Sequence, residues 1–104
     1  MQYVEIKEND VLIFPGSNGS GSVVKTQKHG YYFMPAKYGM RLKGVKSPIQ
    51  KNERFVFSSY RVQKADAEGR IIKCILTRLD DGTNFAVSEY FFHRYFRKID
   101  LSNL

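Results

Sequence analysis

The chain has 104 residues, of which 42% are hydrophobic and 26% charged, a composition that excludes a disordered polymer and predicts a single domain over residues 1–104. Its net charge is +7, so partners that are strongly cationic are disfavoured and polyanions are favoured. Cys74 is the single cysteine, which excludes an internal disulfide, and the longest aliphatic run, Val11–Phe14, is too short to span a bilayer.

The N-terminal segment alternates polarity and lacks the apolar stretch of a signal peptide. Cys74 lies in an apolar stretch, where an inert core thiol is expected. Together these features predict a cytoplasmic protein with no membrane partner.

The first half of the chain predicts short strands separated by turns and loops. Apolar and polar residues alternate there, which is typical of half-buried strands. A Gly- and Ser-rich loop, Pro15–Gly21, separates the second strand from the third. In chain order the predicted strands are Tyr3–Lys7, Val11–Phe14, Ser22–Gln27, Tyr31–Met34 and Lys37–Lys43, and Gly44–Asn52 is predicted as a loop.

The Lys37–Lys43 segment shows the clearest alternation. A period of two places Lys37, Arg41 and Lys43 on one face of the predicted strand. Tyr38 and two further apolar residues fall on the other face. The pattern predicts a half-buried strand with a basic outer face.

The second half predicts longer strands and one helix. Phe55–Lys64 and Arg70–Leu79 are rich in β-branched and aromatic residues, and Thr83–Val87 follows as a short strand after an Asp-Asp-Gly turn. Ser88 is a plausible N-cap for a helix over Ser88–Lys98. At 100° per residue one face of that helix is apolar and the other basic; the apolar residues are Phe91, Phe92, Tyr95, Phe96 and Ile99.

These elements predict a mainly β protein. About six to eight short strands and one C-terminal amphipathic helix suit a small, partly open β-barrel, either SH3-like, PUA-like or OB-like. The pattern of elements leaves the choice among these three topologies open.

The positive charge is concentrated in one segment. From Val11 to Asn52 the chain has seven Lys and Arg residues and no Asp or Glu, whereas outside it ten bases oppose ten acids. A solvated surface that keeps the protein soluble would explain this distribution. An electrostatic footprint for phosphates would explain it as well.

Aromatic residues are interleaved with these bases. Single-stranded nucleic-acid sites combine such cations with rings on which bases stack, whereas the alternative is that most of the rings are core. Phe33 is expected inside, and Tyr31 or Tyr38 is expected to reach the surface. The sequence therefore predicts a non-enzymatic module that binds RNA or single-stranded DNA, with a site formed by Lys25, Lys28, Tyr31, Lys37, Tyr38, Arg41, Lys43 and Lys46.

The sequence contains no clear motif for catalysis or for metal binding. Gly16 and Gly21 have phosphate-loop spacing, but the Lys-Ser/Thr that should follow is absent. His29 and His93 are far apart, and no pair of residues has zinc-ligand spacing. No nucleophile–base set is apparent, so neither a cofactor nor an enzymatic activity is expected.

The length, early strands, loop and final helix resemble those of barrel-type toxin ribonucleases. The Arg-Pro pair expected after the loop is missing, because Tyr31–Met34 occupies that region. No catalytic residue is therefore assigned to this chain from the resemblance. A metal-independent ribonuclease is the least favoured of three functional predictions.

The second alternative is a small protein-binding adaptor or inhibitor that docks on an acidic or nucleic-acid-binding protein. Its size would suit a protein encoded by a phage or mobile element. In that case the basic segment would mimic or block a nucleic-acid contact. An exposed edge strand could also support a homodimer.

Overall fold

The computed structural model describes residues 6–28, 30–38, 44–64 and 70–99, and it contains eight strands and one α-helix there. A single 3-10 turn within these ranges spans Ala36–Tyr38. The strands are β1 (Val11–Phe14), β2 (Gly21–Thr26), β3 (Gly30–Pro35), β4 (Val45–Pro48), β5 (Glu53–Lys64), β6 (Arg70–Arg78), β7 (Asn84–Ser88) and β8 (Arg97–Lys98), and the helix α1 is Glu89–Tyr95.

All eight strands belong to one sheet in the order β4-β2-β3-β7-β6-β5-β1-β8. Neighbouring strands are antiparallel except β3 and β7, which are parallel where Tyr32 pairs with Ala86. The sheet is not closed by strand pairing, so among the described residues β4 and β8 form its two edges. The prediction of a mainly β protein with about six to eight strands and one C-terminal helix is confirmed, and the described strands form one sheet that is not closed.

The sheet curves so that its inner face encloses an aromatic core. Alternate residues of β1, β3 and β7 are buried, and Phe33 of β3 pairs with buried Val23 of β2. The Phe96 ring lies at the centre of the core, 5.2–5.5 Å from the rings of Phe14, Phe33 and Phe55. Edge-to-face packing of such rings is favourable beyond the burial of apolar surface.

The helix begins where the sequence predicts but ends earlier. The Ser88 hydroxyl accepts a hydrogen bond from the Phe91 amide at 3.3 Å and caps the N-terminus. Phe96 is already extended, because its ring enters the core and Arg97 and Lys98 pair with β1. The predicted helix Ser88–Lys98 is therefore wrong in its last three residues.

The basic side chain of Arg97 stabilises the end of the helix. Its Nη1 atom donates to the carbonyl oxygens of His93 at 2.8 Å and of Phe96 at 2.9 Å. Carbonyls at a helix end lack partners within the helix, so a cation beside them is favourable. The Asn18 amide in the Gly-rich loop donates to the Arg94 carbonyl at 2.6 Å, which attaches that loop to the same helix end.

The middle of the chain differs from its prediction. The strand predicted over Lys37–Lys43 is wrong at its start, since Ala36–Tyr38 forms a 3-10 turn after Pro35; residues 39–43 lie outside the described part. The loop predicted over Gly44–Asn52 contains β4 instead, which pairs with β2. Gly44 permits this pairing, since a Cβ atom there would come within 2.6 Å of the Lys25 carbonyl oxygen.

The other strands follow the alternation of the sequence. β1, β2, β3, β5, β6 and β7 each overlap the predicted strand to within a few residues. The predicted first strand, Tyr3–Lys7, lies mostly outside the described residues, and Ile6 and Lys7 are not in a strand. The connection between the predicted strands Phe55–Lys64 and Arg70–Leu79 also lies outside them, although Lys64 and Arg70 pair on either side of it.

Candidate nucleic-acid interface

The hairpin of β2 and β3 presents a lysine and a tyrosine directly opposite each other. Lys25 pairs with Tyr31. This pair lies two residues along each strand from the buried pair of Val23 and Phe33, and therefore on the same side of the hairpin. Because the core ends there, both side chains are exposed, and the Tyr31 side chain is 42% exposed. The Lys25 Nζ atom lies 5.3 Å from the centroid of the Tyr31 ring, within cation–π distance.

A second lysine–tyrosine pair lies on the 3-10 turn that follows β3. The Lys37 Nζ atom is 4.9 Å from the centroid of the Tyr38 ring, and Tyr38 is 55% exposed. The turn is fixed at its start, because the Ala36 amide donates to the Ser20 carbonyl at 2.8 Å. We call the two pairs, Lys25 with Tyr31 and Lys37 with Tyr38, the Lys–Tyr face.

The two pairs are connected through aromatic packing. Tyr31 and Phe33 are two residues apart on the same side of β3. The Phe33 ring is 6.3 Å from the Phe91 ring, which in turn is 5.7 Å from the Tyr38 ring. The Lys–Tyr face therefore borders one continuous aromatic cluster.

Within the described part of the chain, the cations of this face have no carboxylate partner. The ion pairs formed there are Arg78–Glu53, His93–Glu89 and Lys98–Asp10. These pairs involve neither Lys25 nor Lys37, and they do not involve the nearby Lys28; all three lysines are exposed. Their charges can thus face an external anion.

The other predicted site residues are distributed differently. Lys28 is exposed in the turn between β2 and β3, close in sequence to the Lys25–Tyr31 pair. Lys46 pairs with Val24 and therefore lies on the opposite side of the sheet from Lys25. Arg41 and Lys43 lie outside the described residues. The structure thus forms two Lys–Tyr pairs, Lys25 with Tyr31 at the start of β3 and Lys37 with Tyr38 after its end, and it places Lys46 on the opposite side of the sheet from Lys25.

Tyr90 is a neighbour of the site that the sequence did not point to. It is 65% exposed on the first turn of α1, and its ring centroid is 5.6 Å from that of Phe91. The helical projection leaves Tyr90 off the apolar face of the helix. Its position outside that face was the one feature of the sequence that indicated an exposed ring. Only the packing of α1 against β3 places it near Tyr38.

The described part of the chain meets none of the requirements for a metal site made of His, Cys, Asp and Glu, for a reactive thiol or for a membrane-spanning helix. No group of three or more His, Cys, Asp and Glu residues there could hold a metal ion. Burial raises the pKa of the Cys74 thiol to about 12, so this thiol is not a nucleophile at neutral pH. The helical segments that are described fall short of the length and apolarity needed to cross a membrane.

Comparison of the chain with protein-family models, with curated proteins and with solved structures finds no match. The geometry of the Lys–Tyr face is therefore the main indication of function.

Proposed function

We propose that this protein binds single-stranded nucleic acid, RNA or DNA, through the Lys–Tyr face and catalyses no reaction. The observation that supports this most directly is that the exposed rings of Tyr31 and Tyr38 each pair with a lysine that no described carboxylate neutralises, at 5.3 Å and 4.9 Å. In such a pair the ring offers a stacking surface to a base, and the ammonium group lies beside it for the adjoining phosphate.

Single strands suit this face better than duplexes do. Duplex DNA is read by an element that enters the major groove. The helix α1 is only seven residues long and buries Phe92 and Tyr95 in the core, so it cannot enter a groove as a recognition helix. Exposed rings, in contrast, require bases that are already unstacked.

The proposal includes a partly open barrel and a cytoplasmic location. The side chain of Arg78, on β6, bonds to Ser47 and Pro48 of β4, which draws one edge of the sheet toward β5 and β6. Such curvature supports an SH3-, PUA- or OB-like arrangement, and barrels of this size bind oligonucleotides on a strand face. The single buried thiol, Cys74, suits a reducing compartment.

The salt dependence of binding tests the proposal. We expect a fluorescent oligouridylate of about 12 nucleotides to bind, and its affinity to fall as salt rises from about 50 to 200 mM. In the double variant Lys25→Gln/Lys37→Gln, the slope of log K against log salt should decrease by about 0.7 for each phosphate that the variant no longer neutralises.

Arg61 and Lys73 provide a matched control. They are cross-strand neighbours on β5 and β6 and take part in none of the described ion pairs, so Arg61→Gln/Lys73→Gln removes the same charge elsewhere on the sheet without breaking one of those pairs. The control should keep the slope of the unsubstituted protein. Equal decreases in both double variants would show non-specific attraction, and absence of binding at low salt would refute the function.

An adaptor or inhibitor that docks on an acidic protein is the second candidate. It is favoured by Val45, which is 73% exposed on the edge strand β4 beside Lys25. An exposed strand edge can accept a strand from a partner. A partner captured by the tagged protein that persists after nuclease treatment, and that no longer binds Lys25→Gln/Lys37→Gln, would favour this candidate over nucleic acid.

A further inference from the structure

Phe91 lies between two exposed tyrosines. Its ring centroid is 5.7 Å from that of Tyr38 and 5.6 Å from that of Tyr90. Tyr38 follows β3 and Tyr90 lies in the first turn of α1, so two distant parts of the chain contribute to one surface. We call Tyr38, Tyr90 and Phe91 the aromatic shelf.

Packing against core rings fixes the position of Phe91 in the shelf. Phe91 is half-buried, with its ring 6.3 Å from that of Phe33 and 6.0 Å from that of Tyr95 in the core. Its backbone amide is the donor to the Ser88 cap. A ring fixed by packing loses little conformational entropy when a ligand binds, which favours its use as a platform.

The charges around the shelf favour an anionic ligand. Lys37 lies over the Tyr38 ring and has no carboxylate partner among the described residues. Glu89, which precedes Tyr90, is the carboxylate beside the shelf; its Oε1 atom lies 3.8 Å from the Nε2 atom of His93 on the next turn of α1, a contact that offsets its charge only when His93 is protonated. A cluster of exposed rings on a soluble protein marks a binding surface, and here a cation adjoins it.

We propose that the aromatic shelf stacks the bases of single-stranded nucleic acid, with Tyr90 as a binding residue, and that it separates nucleic acid from other polyanions. The inference rests on the proposed function. The lysines of the Lys–Tyr face contact phosphates and would attract any polyanion. The shelf residues carry aromatic rings and no charge, so they contribute mainly by stacking, which requires a ligand with bases.

The experiment compares two ligands on one set of variants. The ligands are the oligouridylate of about 12 nucleotides and inorganic polyphosphate of matching length, which has no bases. Tyr90→Leu removes the ring but keeps an apolar side chain. Tyr60→Leu is the matched control, since Tyr60 is also a partly exposed tyrosine, 44% exposed on β5, and its ring packs on Phe57, which is not part of the shelf.

We expect Tyr90→Leu to weaken oligouridylate binding roughly 5- to 150-fold, the range for loss of one stacked base. Polyphosphate should compete as well against Tyr90→Leu as against the unsubstituted protein. Tyr60→Leu should bind both ligands normally, and Tyr90→Phe, which keeps the ring, should lose less affinity than Tyr90→Leu. Thermal unfolding of each variant establishes that it is folded.

The outcomes separate the two proposals. If the unsubstituted protein does not bind the oligouridylate, the proposed function fails and the shelf fails with it. If it binds but Tyr90→Leu binds equally well, or if Tyr90→Leu binds both ligands equally weakly, the shelf is refuted while the function stands. Tyr90-dependent binding of a proline-rich peptide in place of the oligouridylate would also overturn the assignment, in favour of a protein partner.

Discussion

Arg78 and Glu53 form a two-point ion pair at the end of the core. The Arg78 Nε atom donates to Glu53 Oε2 at 2.6 Å, and Nη2 donates to Oε1 at 3.0 Å. The same guanidinium donates to the Ser47 hydroxyl at 2.6 Å and to the Pro48 carbonyl at 2.8 Å. One side chain thus links β4 to β5 and β6, which do not pair with β4 as strands.

Removing one partner of this ion pair should be costly, because the other charge would remain buried and uncompensated. Glu53→Gln keeps the shape of the side chain but leaves the Arg78 charge without a counter-ion, and Arg78 is 5% exposed. We expect the free energy of unfolding, measured in urea, to fall by about 3–5 kcal/mol. Lys98→Gln, which removes the more exposed pair with Asp10, should cost no more than about 1 kcal/mol. Equal costs would contradict a buried pair.

Gly21 should resist substitution because of the Phe33 ring. A Cβ atom at Gly21 would lie 2.5 Å and 2.7 Å from two ring carbons of Phe33, closer than van der Waals contact allows. We expect Gly21→Ala to lower the free energy of unfolding by about 1–3 kcal/mol through overpacking. In a Phe33→Leu background the same substitution should cost less. Additive effects in urea titrations of the double variant would refute the contact.

Asp10 should make the protein less stable in acid. The amide of Lys7 donates to its carboxylate at 2.7 Å and, with the Lys98 ammonium at 3.2 Å, lowers the pKa of Asp10 below 3.8. A carboxyl whose pKa is lower in the folded state stabilises above its unfolded pKa, and this stabilisation is lost as pH falls below 3.8 through the folded value.

Urea unfolding from about pH 6 down to pH 3 would measure this effect. Asp10→Asn should be less stable at the upper end of the range and show a shallower decline at the lower end. An unchanged decline would mean that other carboxyls, such as Asp81, account for the acid sensitivity.

Cys74 should be unreactive in the native protein. The thiol is fully buried, and desolvation raises its pKa to about 12, so almost no thiolate exists at about pH 8. A chromogenic disulfide reagent should therefore react rapidly only after urea is added. Fast reaction under native conditions would show that β6 opens readily.

Alternation of apolar residues predicted most of the sheet, because each strand is buried on one side only. It failed where tertiary contacts outweigh local pattern. Pro35 is followed by a turn at Ala36–Tyr38 although the sequence there alternates, and Val45–Pro48 becomes a strand only because β2 offers it an open edge. Phe96 leaves the helix because the centre of the core accepts its ring.

The candidate site was predictable in its residue types and only partly in its arrangement. The absence of acids indicated where unneutralised cations would lie. The prediction that Phe33 is inside and that Tyr31 or Tyr38 reaches the surface is confirmed, since both tyrosines are exposed. The side of the sheet on which Lys46 lies could not be predicted, since the register of β4 was not known. The contribution of Tyr90 depends on how α1 packs, which no local pattern encodes.

The two edges of the sheet have a consequence for behaviour at high concentration. Unpaired strand edges are templates for self-assembly into fibres, and lysines and prolines on them oppose this. β4 contains Lys46 and Pro48, and β8 consists of Arg97 and Lys98. Pairing of either edge with its own copy would bring like charges together. Concentrated solutions should therefore remain free of ordered aggregates, and salt, by screening these charges, should bring the molecules closer to association.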